Sequence, residues 1–201
     1  PPPATPLLSG LVGGLGDVYK RQLEGVFILK PRVFKDNRGF FYESWNQTLF
    51  NKAIGEEVKF LQDNHSSSNI GVLRGLHYQI EPKPQGKLVR CVSGSVFDVA
   101  VDIRKSSPTF GEWTSVVLNT LNKLMIWIPV GFAHGFLALE ENSEVLYKAS
   151  EPWSNLHDRS IRWDDKNINI NWPLKDINFL EPKLSEKDLK APFLKNADVF
   201  T

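Results

Sequence analysis

The stretch Val96-Phe97-Asp98-Val99-Ala100-Val101-Asp102-Ile103 decides the fold class of this chain. Phe97, Val99, Val101 and Ile103 occupy one set of alternate positions, and the two aspartates lie in the other set. A period of two is that of a β-strand, because successive side chains point to opposite faces of a sheet. The stretch therefore predicts a strand with one apolar face and one face that carries two carboxylates.

The same period recurs on both sides of this strand. Short apolar or alternating runs are separated by turn residues about every 8–12 positions, which is typical of a sandwich or barrel; they lie at residues 26–29, 40–45, 58–64, 87–92, 116–118, 124–128, 136–139 and 145–149. Helical patterns are few. One covers residues 47–54 and is stopped by Gly55, and a shorter one covers residues 185–189, with Ser185 as its N-cap. The sequence predicts a mainly β, antiparallel jelly roll with a few short helices.

Composition narrows the class of protein. The 201 residues fit one domain, and a net charge of +1 lacks the basic excess of a nucleic-acid binder. Cys91 is the one cysteine, so there is neither an intramolecular disulfide nor a cysteine-cluster zinc site. No apolar run reaches the roughly 18 residues that span a membrane. Without a secretory pattern, the expected location is the cytoplasm.

The first 22 residues differ from the rest. They are rich in glycine and proline and show no clear period, and residues 14–22 resemble translated sequencing-adaptor sequence. A disordered native tail is the alternative. We expect residues 1–22 to be a leader outside the fold and residues 23–201 to form the single domain.

Polar side chains at alternate strand positions suggest a cavity. Asp98 and Asp102 share one strand face, and Gln62 and Asn64 share another. Such faces either meet water or line a polar interior. Because several strands of one chain show the pattern, we favour a polar cavity inside the jelly roll.

Two of the four histidines lie between glycines in apolar strands. His77 follows Gly75, and His134 lies in Pro129-x-Gly131-x-x-His134, which matches the second motif of the cupin jelly rolls. A metal-binding cupin also needs a pair of histidines separated by one residue, but His77 is followed by Tyr78 and Gln79. Three or four ligands are required to hold the usual metal. We therefore expect no metal and an acid–base role for the pocket.

Six motifs, in order along the chain, carry a resemblance to a known family; they lie at residues 36–43, 62–66, 72–79, 85–90, 96–104 and 127–136. Together they closely resemble the dTDP-4-dehydrorhamnose 3,5-epimerase family. The resemblance covers residues 25–194, or nearly all of the chain after the leader. It implies a dTDP-4-keto-6-deoxyhexose substrate and a homodimer in which an N-terminal strand joins the partner's sheet. It implies neither a metal nor a redox cofactor.

The chemistry that the resemblance implies needs a base, an acid and a cation. The C4 ketone acidifies the protons at C3 and C5, so removal of one gives an enolate, and reprotonation on the other face inverts the centre. By position, His77 resembles the proton acceptor and Tyr147 the proton donor. Asp188 resembles the carboxylate that orients the histidine, Lys87 would stabilise the enolate, and His134 would line the sugar pocket.

Alternatives stay open for these roles. Asp98 and Asp102 are rival partners for His77. Tyr147 is otherwise a core aromatic, and Asp188 a residue at the start of a helix.

The resemblance also implies substrate-binding residues. Arg38, Arg74 and Lys187 match positions that bind the diphosphate. Positions that contact the nucleotide or its surroundings are matched by Glu43, Gln62, Asp63 and Asn64. Either Phe41 or Trp153 would stack on thymine. Residues 151–159 diverge from the family pattern, and Asp158 matches an acidic position only loosely, so contacts from this loop are not predicted.

Two other functions are compatible with the sequence. One is an epimerase that acts at C3 alone or at C5 alone on a related dTDP-keto-sugar. The other is a non-catalytic cupin that binds a sugar nucleotide. The presence of both His77 and Tyr147 argues against the second.

Overall fold

The chain folds into two antiparallel sheets that pack face to face, which confirms the predicted mainly β class. The computed structural model describes residues 15–20 and 23–201. Its strands are β1 Leu15–Lys20, β2 Phe27–Pro31, β3 Phe34–Asp36, β4 Gly39–Phe41, β5 Gln62–Ser68, β6 Leu73–Gln79, β7 Lys87–Ser93, β8 Ser95–Asp102, β9 Trp113–Asn119, β10 Met125–Ile128, β11 Phe132–Ala138, β12 Ser143–Ala149 and β13 Asp158–Ser160. One sheet has the order β1-β2-β10-β7-β12-β5, the other has the order β13-β6-β11-β8-β9, and β3 pairs with β4 as a separate hairpin.

Strand β8 behaves as its alternation predicts. Val99 and Val101 point to the outer face of the five-stranded sheet, where the C-terminal segment after β13 covers them. Val96 and Ala100 point inward and pack in the core between the sheets. Asp98 shares this inner side and is completely buried. The strand thus places one carboxylate inside the molecule.

Both predicted helices form, and each has the expected cap. Helix α1, Gln47–Ile54, ends at Gly55, whose φ of 81° is readily adopted only by glycine. Helix α2, Glu186–Leu189, begins after Ser185, whose hydroxyl accepts a hydrogen bond from the backbone N–H of Asp188. Two 3₁₀ turns, Lys175–Ile177 and Leu194–Asn196, complete the C-terminal segment.

Two expectations differ from the structure. The strand predicted over residues 58–64 begins only at Gln62, because Val58 and Phe60 pack on the cluster around Phe50 on the outer side of the six-stranded sheet. The leader was expected to lie outside the fold, but residues 15–20 form β1 on the edge of that sheet, paired with β2. An unpaired strand edge accepts such an addition readily. Residues 1–14, 21 and 22 lie outside the described residues, and the non-native origin of the leader stays a prediction.

A bulge in β6 sets the direction of the side chains that matter most. His134 and Phe136 are two residues apart on β11. Their partners on β6, His77 and Arg74, are three residues apart. The extra residue restores the phase of the alternation, so that Arg74 and His77 both face the interior. Gly75 makes this possible, because its φ is 135° and a Cβ there would lie 2.5 Å from the Cα of Gly135.

Candidate active site

The first element of the site is a hydrogen-bonded pair of His77 and Asp188. His77 lies on β6, and its Nε2 atom is 2.5 Å from Oδ1 of Asp188 on α2. The carboxylate is 3% exposed and the imidazole 30% exposed, so the histidine is reachable while its partner is not. Burial raises the pKa of Asp188, but the hydrogen bond and charge of His77 outweigh it and lower that pKa below its usual value. Among the rival partners considered for His77, Asp188 is the one in contact.

A second histidine–aspartate pair lies beside the first. His134 on β11 is the direct cross-strand neighbour of His77. Its Nε2 atom is 3.0 Å from Oδ2 of Asp98, and both side chains are almost completely buried. The other candidate, Asp102, is held at the end of β8 by Arg104, Ser107 and Thr109, which lower its pKa to about 2 although burial opposes this.

The facing sheet supplies a lysine and a tyrosine. Lys87 on β7 donates a hydrogen bond to the backbone carbonyl of His77 at 3.2 Å. The same ammonium nitrogen lies 5.8 Å from the ring centre of Tyr147 on β12. Lys87 therefore bridges the two sheets, between the histidine on one side and the tyrosine on the other.

Burial controls the protonation of both residues on the facing sheet. It lowers the pKa of Lys87 to about 8, although the negative charges of Asp158 and Asp98 raise it. Burial also raises the pKa of Tyr147, and the charge of Asp158 adds to this effect. A lysine that titrates near neutrality and a tyrosine that keeps its proton are suited to electrostatic and acid roles, respectively.

Asp158 takes a position that the sequence pattern did not assign. It begins β13, opposite Gln79 of β6, and its carboxylate forms an ion pair with Lys187. Lys187 precedes Asp188 on α2, so this pair ties the helix that carries Asp188 to the edge of the five-stranded sheet. Lys187, which is predicted to bind the diphosphate, is thus paired with an acidic side chain in this structure.

The predicted binding residues separate into two groups. Gln62 and Asn64 point inward from β5, where the amide of Gln62 donates to Oδ1 of Asn64. Arg74 reaches the same strand, and its guanidinium donates to the hydroxyl of Ser68. Asp63 lies on the opposite face of β5 and pairs there with Lys148. A strand turns successive residues to opposite faces, which is why Asp63 does not join its two neighbours.

Two further residues come from the N-terminal region. Arg38 sits in the turn between β3 and β4, with a side chain that is 86% exposed and paired with Asp36. It makes no described contact with the histidine pairs. Glu43 follows β4 and has one buried carboxylate oxygen without a hydrogen-bond partner among the described residues.

The loop after β12 is held by two glutamines from opposite sheets. The backbone N–H of Trp153 donates to Oε1 of Gln62 at 2.8 Å, and the next one, of Ser154, donates to Oε1 of Gln79 at 2.7 Å. Gln79 is not among the site residues predicted from the sequence. A signal was present, since Gln79 lies two positions after His77 in a strand and must share its face.

Within the described residues no metal-binding cluster is found, and the cavity beside β9 is not lined by the predicted site residues. Across residues 15–20 and 23–201, no group of three or more His, Cys, Asp or Glu side chains is arranged to hold a metal ion. A cavity of about 810 Å³ lies between the start of β9 and the C-terminal segment, but it contains none of the predicted site residues. No helix in the described part of the chain is long and apolar enough to cross a membrane.

Known proteins resemble this chain in both sequence and fold. The chain is 54% identical over 184 residues to the dTDP-4-dehydrorhamnose 3,5-epimerase of Shigella flexneri, which covers 92% of this chain and 99% of the relative. Its fold matches the crystal structure of dTDP-6-deoxy-D-glucose-3,5-epimerase from Legionella pneumophila in complex with dTDP-4-keto-L-rhamnose. That match has a TM-score of 0.85 and 43% identity, and it covers 90% of this chain and 94% of the other.

A more distant structure shows a narrower activity on the same fold. It is a 3'-monoepimerase from Streptomyces bikiniensis in complex with dTDP-quinovose, with a TM-score of 0.80 and 32% identity over 87% of this chain and 86% of that one. The sequence model described as dTDP-4-dehydrorhamnose 3,5-epimerase matches residues 20–196, which include both histidine pairs, Lys87 and Tyr147. By this match and by its identity to the relatives, the chain belongs to the dTDP-4-dehydrorhamnose 3,5-epimerase family.

Proposed function

We propose that this protein inverts C3 and C5 of dTDP-4-dehydro-6-deoxy-D-glucose and so forms dTDP-4-dehydro-L-rhamnose, a step in making dTDP-L-rhamnose. One observation carries the proposal: His77 with its carboxylate partner lies on one sheet, and Tyr147 faces it from the other, with Lys87 between them. Inversion needs a proton to leave one face of the sugar and another to arrive on the opposite face. Residues on two facing sheets meet this need.

The base is His77. In its neutral form it takes the proton from the carbon next to the ketone, and the imidazolium that results is stabilised by the buried carboxylate of Asp188. The hydrogen bond from Nε2 to Asp188 also fixes the ring, so that the other ring nitrogen faces the substrate. His77 then returns or retains the proton, according to which face of the enolate is protonated.

The cation for the enolate is Lys87. Its pKa of about 8 leaves it mostly charged at neutral pH, in a site where burial strengthens its field. The charge that develops on O4 is stabilised by this ammonium group, and His134 beside it lines the pocket for the sugar. Tyr147 then donates a proton from the opposite side.

The nucleotide part of the substrate meets the open edge of the site. Arg74 on β6 and Lys187 on α2 are the cations for the diphosphate, and binding there exchanges the carboxylate partner of Lys187 for a phosphate. For thymine we favour Trp153 over Phe41. Trp153 is 57% exposed and is held beside Gln62, whereas Phe41 lies in the separate β3–β4 hairpin.

A homodimer in the cytoplasm belongs to the same proposal. The β3–β4 hairpin exposes the aromatic rings of Phe34, Phe40 and Phe41 next to Arg38, and a second chain would cover this apolar surface and give Arg38 access to a substrate. Cys91 is a buried, free thiol, in keeping with a reducing compartment. Light scattering of the purified protein tests the dimer, and a monomer with full activity would contradict it.

Exchange of substrate protons with heavy water tests the reaction. In D2O, NMR should show deuterium entering at both C3 and C5 of the dTDP-keto-sugar. Tyr147→Phe should suppress the inverted product far more than it suppresses deuterium entry, because His77 and Lys87 still form the enolate. The substitution nearly conserves volume, so the fold should persist. Equal loss of exchange and inversion would contradict the role of Tyr147 as the acid on the far face.

The second candidate is an epimerase for one carbon only. The structural similarity to a 3'-monoepimerase supports it, because that enzyme uses the same fold. The same NMR experiment separates the two, since deuterium would then enter at C3 and not at C5.

A further inference from the structure

Gln79 is a buried amide that joins the catalytic strand to the loop at the mouth of the site. Only 2% of the surface of Gln79 is exposed. Its Nε2 atom donates to the carbonyl of Lys83 at 2.6 Å and to that of Pro152 at 3.3 Å, and its Oε1 atom accepts from the N–H of Ser154 at 2.7 Å. Both ends of the amide are therefore engaged, and two of the three bonds go to residues that flank Trp153.

The position of Gln79 couples two parts of the site. It lies on β6 two residues after His77, and its backbone pairs with that of Asp158. The next backbone N–H on this strand, of Ile80, donates to the carbonyl of His157. The loop from Pro152 to Asp158 is thus fixed at both ends to the strand that carries the base.

We propose that Gln79 is a positioning residue for nucleotide binding: it holds residues 152–154 so that the ring of Trp153 meets the base of the substrate. The inference rests on the proposed function, and it assigns a role to a residue that does not itself touch the substrate. Gln62 holds the Trp153 backbone from the other sheet, so the two amides fix consecutive peptide groups.

Loss of the amide removes two of the hydrogen bonds that hold the backbone of residues 152–154 in place. An apolar side chain at position 79 leaves the N–H of Ser154 and the carbonyl of Pro152 without the bonds that now fix them, and such groups move towards water when they are not paired. The ring of Trp153 then loses its fixed orientation. Stacking of an aromatic ring on a base contributes to nucleotide affinity, so the affinity should fall on the order of 10-fold when the ring is no longer held.

A double-mutant cycle on the full chain tests the proposal, with dTDP as the probe. Calorimetry gives the dissociation constant of dTDP for wild type, Gln79→Leu, Trp153→Ala and the double variant. We expect each single variant to weaken binding on the order of 10-fold, and the double variant to be hardly weaker than either one, because both changes remove the same stacking contact. The matched control is Gln47→Leu, which removes an amide that bonds to Asn51 and Val58 on α1 and its neighbourhood; its dTDP affinity should equal that of wild type.

Turnover gives a second readout. Gln79→Leu should raise KM about as much as it weakens dTDP binding, while kcat stays within about 3-fold of wild type, since His77, Asp188 and Tyr147 are unchanged. If Gln79→Leu does not fold, the cycle is run with Gln79→Glu, which keeps an acceptor for Ser154 and loses both donors. The same non-additivity is then expected.

Two outcomes would overturn the inference. Additive losses in the cycle would show that Gln79 does not act through Trp153. Unchanged dTDP affinity in Gln79→Leu with a lower melting temperature would show a purely structural residue. Failure of the proposed function looks different, because wild-type protein would then fail to exchange protons at both C3 and C5, whatever the cycle shows for dTDP binding.

Discussion

The two histidine–aspartate pairs of this protein use the same groups and differ in where the groups come from. His134 and Asp98 both lie within the five-stranded sheet, on neighbouring strands, and both are sealed from solvent. His77 lies on the next strand, is 30% exposed, and takes its carboxylate from a helix 111 residues further along the chain. One pair is therefore a part of the sheet, and the other is assembled when the C-terminal segment docks.

This difference bears on which pair serves the stability of the fold and which pair serves proton transfer. A buried carboxylate needs its partner, because an unpaired buried charge costs several kcal/mol. His134 supplies that partner to Asp98. This pair, the inner pair, therefore contributes to the stability of the sheet. His77 has one side paired and one side open, which is what proton transfer to a substrate requires. In the proposed mechanism the outer pair, His77 and Asp188, is therefore the catalytic one, and the inner pair, His134 and Asp98, shapes the pocket beside it.

The largest expected effect comes from exchanging the two histidines for alanine, one at a time. His77→Ala should lower turnover and deuterium exchange roughly 100-fold or more, the usual scale for loss of a general base, and it should also lower the melting temperature, because Asp188 is left buried without its partner. His134→Ala should lower stability by about 3–5 kcal/mol, because it leaves Asp98 buried and unpaired. NMR exchange rates and thermal melts on the same samples measure both.

Either of two results would contradict this division of roles between the pairs. Exchange at the wild-type rate in His77→Ala would remove His77 as the base. A stable His134→Ala that exchanges no protons would place the chemistry on the inner pair.

The next effect concerns the two carboxylates. Asp188→Asn keeps a hydrogen-bond partner for His77 but removes the charge that stabilises its imidazolium, so kcat should fall on the order of 10-fold to 100-fold. Asp98→Asn should leave kcat closer to wild type at pH 7, since it changes the partner of a histidine that does not take the proton. Steady-state kinetics decide this. A greater loss of kcat in Asp98→Asn than in Asp188→Asn would reverse the roles assigned to the pairs.

The sequence predicts the inner pair less well than it predicts the strands that carry it. Alternation places Asp98 on the inner face of β8, but only the register with β11 brings it to His134 rather than to His77. The resemblance to the family, and not any local pattern, points to Asp188 for His77. Asp188 lies 111 residues after His77, whereas periodicity relates only residues within one strand or helix.

Local backbone geometry accounts for the remaining differences. Arg74 and His77 are three residues apart, which in a regular strand would put them on opposite faces, and the bulge at Gly75 brings them together. Asp63 follows the regular rule and leaves the site. The position of β1 depends on a free sheet edge, which composition cannot reveal.

A smaller effect is expected in the pH profile. Lys87 must be charged to stabilise the enolate, and its pKa is about 8, so kcat/KM should decline as the pH rises through about 8. The charge of Asp98 raises this pKa, as does that of Asp158. Asp98→Asn should therefore move the decline to lower pH, whereas Asp188→Asn should leave it in place. A profile that is flat to pH 10 would contradict a required charge on Lys87.

The smallest expected effect is that of a chelator, and it bears on both pairs at once. A histidine that binds a metal uses a ring nitrogen as a ligand, and a stable site needs three or four such donors. Here the Nε2 atoms of His77 and His134 are each occupied by a carboxylate, and Gln79 stands where a metal-binding cupin would place its second histidine. The carboxylates of Asp98 and Asp188 are likewise committed to the histidines. Dialysis against EDTA should therefore leave exchange at C3 and C5 unchanged. Inactivation that is reversed by a divalent cation would instead show that the histidines act as ligands, and both pairs would have to be reinterpreted.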